Sequence, residues 1–84
     1  MANISDYEAL RVEIIRLLGE ERKRRNLSKY AVAQRSGISE SMLSLVERGL
    51  RNPTMELVLR MADGIGADIS AIIKKARRSK KNVK

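Results

Sequence analysis

The sequence contains no cysteine and no histidine. The first absence excludes disulfides and thiolate metal sites, and the second removes the commonest general base and the commonest metal ligand. Phenylalanine and tryptophan are missing as well, and no run of alternating β-branched residues marks a strand. No apolar run approaches the roughly 20 residues that a membrane span needs. The opening stretch, MANISDYEAL, has no basic start followed by an apolar segment, so no signal peptide is expected. There is no Gly-rich phosphate loop and no carboxylate cluster at metal-site spacing, and the adjacent acids Glu20 and Glu21 stand beside a basic run and read as surface. These absences argue against an enzyme, a cofactor, a resident metal and a membrane partner. They leave a cytoplasmic binding module as the expectation.

What the chain does have is basic charge and helical periodicity. Its 84 residues make one small domain, 43% hydrophobic, with a modest core. A domain of that size is marginal alone and gains from association with a copy of itself. The formal net charge is +8, from 18 basic and 10 acidic residues, and it is unevenly placed. The last eleven residues, KKARRSKKNVK, hold Lys74, Lys75, Arg77, Arg78, Lys80, Lys81 and Lys84 and no acid, while the remainder is nearly balanced. Such a segment suits a polyanion, or serves simply as a solvated tail. The expected division is a domain over 1–76 and a basic, flexible tail over 77–84.

Five short helices follow from the pattern. Ser5 and Glu8 form a capping box (S-x-x-E), so the first helix is expected near Asp6. Its apolar stripe is Tyr7, Leu10, Ile14, Leu17 and Leu18, and it closes on the run Arg22 to Arg25, with Asn26 as the stop. Val12 and Ile15 fall off that stripe, and are either exposed or turned to a partner subunit. Ser28 caps a second helix with Val32 and Ala33 inward, and Ser39 caps a third with Leu43 and Val46 inward. Gly37 supplies the bend between them and Gly49 ends the third. Thr54, just after Pro53, caps a fourth helix striped by Leu57, Val58, Met61, Ala62 and Ile65, which Gly66 closes. Asp68 caps a fifth, carrying Ile69, Ile72, Ile73 and Ala76, part of which is either core or a dimer seam.

The second and third helices, joined by a few residues containing Gly37, outline a helix-turn-helix over 28–48. Two helices crossing steeply need a small side chain at their contact, which Ala33 provides. Ile38, Leu43 and Val46 fill the angle. Glu40, Ser41, Ser44, Leu45 and Arg48 then face outward. In such motifs the second helix of the pair enters the major groove.

The order and spacing of L-G-E-E-R-K-R-R-N-L-S, V-A-x-x-S-G-I-S, L-S-x-V-E-R-G-x-R-N-P-T and L-x-x-M-A-x-x-I-G-A-D-I, between Leu18 and Ile73, resemble the phage-repressor-like (xenobiotic-response-element) helix-turn-helix family. The resemblance covers about two-thirds of the chain. It implies a compact all-α, five-helix, lambda-repressor-like domain that binds double-stranded operator DNA, usually as a symmetric homodimer. It implies base reading by Glu40, Ser41, Ser44 and Leu45, and phosphate contacts by Lys29, Arg48, Arg51, Asn52 and the helix start at Thr54. It also makes Arg22 and Glu47 a partly buried structural salt bridge. Two positions depart from the family pattern, which often has Gln where Lys29 and Glu40 stand. An ion pair between them would aim Glu40, which either reads a cytosine N4 or only excludes wrong sequences. Leu45 replaces a polar reader and suits a thymine methyl. The basic tail would add sequence-independent phosphate contacts.

The function implied is a sequence-specific transcriptional regulator, in the first place a repressor. The alternatives are an antitoxin that binds its own promoter and a toxin protein, a restriction–modification controller, and a nucleic-acid chaperone working through the tail.

Overall fold

Three of the five helices begin on a hydroxyl that closes its own first turn. In the computed structural model, which describes the backbone of residues 4–82 and the side chains of residues 6–79, these helices are α2 (Lys29–Ser36), α3 (Glu40–Glu47) and α4 (Met55–Ile65). The Ser28, Ser39 and Thr54 side chains accept from the N–H groups of Ala31, Met42 and Leu57 at 3.0, 3.0 and 3.1 Å. Each cap satisfies one of the donors that a helix start leaves unpaired. The remaining helices are α1 (Ile4–Arg24) and α5 (Ile69–Asn82). Asp68 stands just before α5 and its carboxylate accepts from Ser70 N at 3.0 Å. No strand occurs among the described residues.

The ends are as local as the starts. Asn26, at φ 57°, closes α1: its N–H donates to Lys23 O, and the N–H of Leu27 donates to Arg22 O. That pair of bonds is a Schellman turn on an asparagine. Gly37, at φ 72°, turns the chain out of α2, with its N–H on Ala33 O at 3.0 Å. Ile38 and Ser39 complete the link to α3, so the helix-turn-helix stands where its spacing put it.

α1 packs on α3, α4 and α5, while α2 packs on α3 and α4. Leu18, Val32, Leu43, Val46, Met61 and Ile65 are fully enclosed in the common core, with Ile15, Ile38 and Ala62 beside them. Gly64 lets α4 lie close against α2. A Cβ there would lie 3.0 Å from Val32 O and 3.1 Å from Ser36 Cβ. α2 and α4 also cap each other: Arg35 Nη1 donates to Gly64 O at 3.4 Å, and Arg60 Nη1 donates to Ser36 O at 3.3 Å. Cations thereby meet the unpaired carbonyls of both helix ends.

Four expectations change. Helix α1 begins at Ile4, so Ser5 lies inside it and not at its cap; nothing in that stretch stops the helix from starting earlier. Tyr7 is 58% exposed and not part of the buried stripe. Asp6 and Glu8 are exposed as well. Ile15 is buried, because a helix packed on three neighbours buries a wider arc than one stripe. Val12, in contrast, is exposed. Finally, residue 76 does not end a helix. Ala76 is fully buried, and α5 runs on through Arg77 and Arg78 to Asn82, because Lys and Arg favour helix and no Gly or Pro interrupts. Lys80 and Lys81 therefore stand on helical backbone, and Lys84 lies outside the described residues.

Candidate nucleic-acid interface

α3 presents two faces of opposite chemistry. Inward, Leu43 and Val46 are sealed in the core and Met42 packs against its edge. Outward, Glu40, Ser41, Ser44, Leu45 and Arg48 line one shallow, open concavity. Glu40, Ser41 and Arg48 are exposed, and Ser44 and Leu45 are half-buried. The four side chains nominated as base readers, and Arg48, nominated for a phosphate, thus share one surface. Glu40 occupies the first turn of α3, where a carboxylate is favoured by the helix dipole.

The helix is held from behind by charge. Arg22 of α1 grips Glu47 at the end of α3 through two bonds, Nε to Oε2 at 2.7 Å and Nη2 to Oε1 at 3.0 Å. Its third nitrogen, Nη1, donates to Leu27 O at 2.8 Å in the α1–α2 link. Both side chains are 9% exposed. A bidentate fork of this kind sets angle as well as distance. It ties α1, the start of the helix-turn-helix and the far end of α3 together.

The expected ion pair between Lys29 and Glu40 is not formed among the described residues. Lys29 Nζ instead donates to Ser44 Oγ at 3.4 Å. Glu40 stands exposed at the tip of α3, whereas Ser44 lies one turn along, half-buried beside α2. The ammonium reaches the hydroxyl that α2 faces rather than the carboxylate beyond it.

Past α3 the chain turns through Gly49, Leu50, Arg51 and Asn52 to Pro53. A second groove opens there, between this loop and α1. Arg11, Arg16, Arg48 and Arg51 stand around a floor of Val12, Ile15, Val46 and Pro53. Arg48 belongs to both concavities, so the cationic surface is continuous from α3 into this groove. Arg16 is engaged by Glu13 and Glu20. Arg11, Arg48 and Arg51 enter no ion pair among the described residues. Arg11 was not legible as a functional residue, since nothing in its helical context separates it from any other surface cation. Asn52 and Thr54 are exposed beside Arg51.

Other cations are already neutralised. Glu21 takes Arg24 and Arg25, the latter at 2.7 Å. The hydrogen bonds from Arg24 and then Arg25 hold the Glu21 carboxyl down at about 2. Arg24 is raised in turn by Glu21, and Arg16 is raised by Glu13. Among the described residues no group of acids could hold a metal ion, and no helix is long and apolar enough to cross a membrane.

A helix-turn-helix family model matches residues 18–72, from the core of α1 into α5. The chain belongs to the phage-repressor-like helix-turn-helix family of DNA-binding domains. Within it, the chain is similar to an uncharacterized HTH-type transcriptional regulator, y4dJ, of Sinorhizobium fredii, with 40% identity over 45 residues. That match covers 54% of this chain and 58% of the relative, so the chain spans little more than half of the curated protein it resembles. No solved structure matches. The helix-turn-helix family model takes in all of α2, α3 and α4, with the α3 face and the Arg22–Glu47 fork inside it, and leaves out the first turns of α1 and the basic end of α5.

Proposed function

We propose that this protein is a sequence-specific transcriptional repressor that docks α3 in the major groove of operator DNA as a homodimer. The observation that carries the reading is the outward face of α3: three polar side chains, one apolar side chain and an arginine share one open surface, on a helix locked from behind by a buried ion pair. Glu40, Ser41, Ser44 and Leu45 meet base edges. Lys29, Arg48, Arg51 and Asn52, with the N–H groups that follow Thr54, meet phosphates on either side. Arg11 extends the phosphate track onto α1.

Lys74, Lys75, Arg77 and Arg78 are exposed on α5, and with Lys80, Lys81 and Lys84 they add a sequence-independent attraction. The second copy docks on the apolar groove between α1, α4 and α5, where Ile14, Ile15, Val58, Ile69 and Ile73 form a hollow of about 220 Å³ edged by Met55, itself 68% exposed. A protein that works on DNA in this way acts in the cytoplasm.

The test is selection from a random duplex library at physiological salt, with sequencing of the bound fragments. An enriched inverted repeat with half-sites about 34 Å apart supports the reading. Binding without enrichment sinks it in favour of a chaperone that works through the basic end of the chain. A toxin that copurifies stoichiometrically and occupies the apolar groove would make the protein an antitoxin instead.

A further inference from the structure

The contact between Lys29 and Ser44 decides more than the place of one side chain. A lysine ammonium has three donors and no acceptor, so in this bond the Ser44 oxygen must accept. The hydroxyl proton of Ser44 is then left to point away from Lys29, and no acceptor within the chain takes it up among the described residues. The ammonium also makes this part of the surface positive, which repels a base amino group and favours a base acceptor. One turn back on the same face, the Glu40 carboxylate offers the opposite chemistry. When ionised it only accepts, so it suits a base amino group.

We propose that Lys29 is a specificity-determining residue that fixes Ser44 as a hydrogen-bond donor, so that α3 reads an amino-bearing base with Glu40 and an acceptor-only base with Ser44. The amino-bearing base is cytosine or adenine. The acceptor-only base is guanine or thymine, whose major-groove edges carry no amino donor. Four residues of helix rise about 6 Å and stacked base pairs about 3.4 Å, so the two bases fall within about two base pairs of each other in the half-site. This rests on the proposal that α3 enters the major groove, and it adds the order of donors and acceptors there. It also separates two roles for Lys29. A phosphate contact weakens all sequences alike when lost, while a residue that orients Ser44 changes which base is preferred at one position.

The experiment is library selection with the full chain in four forms: unaltered, Ser44→Ala, Lys29→Met and Lys29→Arg, with Glu40→Gln as a reference and thermal melting to confirm that each folds. The unaltered protein is expected to prefer one base pair at one half-site position by about fivefold, the size of one hydrogen bond. Ser44→Ala and Lys29→Met flatten that same position and leave the one read by Glu40 intact. Lys29→Arg, which keeps the donors, retains the preference. The proposal is overturned if Lys29→Met lowers affinity evenly across sequences, reduces the slope of log K against log salt by about 0.9 and leaves the Ser44 position unchanged. If neither Ser44→Ala nor Glu40→Gln alters any position, major-groove reading by α3 fails, and this inference fails with it.

Discussion

The two helices of the helix-turn-helix are fastened to the rest of the molecule by opposite means. At the seam between α1 and α3, Arg22 and Glu47 are both 9% exposed and joined by two hydrogen bonds. At the seam between α2 and α4, contact is made by leaving a side chain out: Gly64 sits where a Cβ would come within 3.0 Å of Val32 O. The first seam sets an orientation, because a guanidinium fork bonds a carboxylate in one plane. The second sets mainly a distance: close packing has no preferred direction, and the two hydrogen bonds that cross it, from Arg35 to Gly64 O and from Arg60 to Ser36 O, are long at 3.4 and 3.3 Å. Directional fastening is placed on α3, the helix whose angle to DNA would matter under the proposed function. Proximity suffices for α2, which braces it.

The seams should therefore fail differently. Glu47→Ala leaves the Arg22 charge buried without its partner, and is expected to destabilise by about 3–5 kcal/mol, the largest effect of any single change considered. Urea unfolding would measure it, and a loss below about 1 kcal/mol would mean that the pair is exposed in solution. Gly64→Ala comes next. The added methyl meets the backbone oxygen of Val32 and the Cβ of Ser36, neither the free end of a flexible chain. Overpacking of this kind costs about 1–3 kcal/mol, and alanine's better helix propensity offsets about 1 of it. The same unfolding experiment should show a net loss, and a gain would mean that α2 and α4 separate easily.

How far this architecture could be read from the chain depends on the range of each interaction. The caps at Ser28, Ser39 and Thr54 and the turn at Gly37 involve partners three or four residues away, so a local pattern suffices to place them. The Arg22–Glu47 bond spans 25 positions and was legible only through the family resemblance. Gly64 looks like an ordinary glycine near a helix end until α2 is laid against it. The burial of Ile15 needed the positions of three neighbouring helices. The partner of Lys29 depended on whether α2 faces the tip of α3 or its next turn, and hydropathy carries no trace of that. On the outward face of α3, residue type was legible and the contact between Lys29 and Ser44 was not.

Gly19 sharpens the comparison from the other side. It lies on α1 against the ion pair, yet a Cβ there would meet Glu47 Cδ at 3.8 Å, an ordinary contact. Because direction and not closeness holds this seam, Gly19→Ala should be accepted where Gly64→Ala is not. The removed flexibility of a mid-helix glycine predicts a gain of about 0.5–1 kcal/mol. That corresponds to a rise in melting temperature of roughly 2–8 °C for a domain of this size. A fall would show that the backbones of α1 and α3 are already at their limit.

The smallest effect separates the buried ion pair from an exposed one. Glu21 bonds Arg24 and Arg25, and Arg25 Nη1 also reaches Ile65 O at 3.3 Å, so this cluster lies across the α1–α4 contact. Its carboxyl is held at about 2 against an ordinary value of 4.5. A depressed folded-state value means that the unfolded chain binds the proton first. The contribution is whole above about pH 4.5 and fades as the pH falls toward 2. Because the group is exposed, solvent and salt screen it, and the effect should be a modest slope. Melting temperature followed from pH 6 down to pH 2 should fall less steeply in Glu21→Gln than in the unaltered protein, and molar salt should erase the difference. If the two curves coincide at low salt, Arg24 and Arg25 are solvated without Glu21, and this cluster, unlike Arg22–Glu47, does not act on stability.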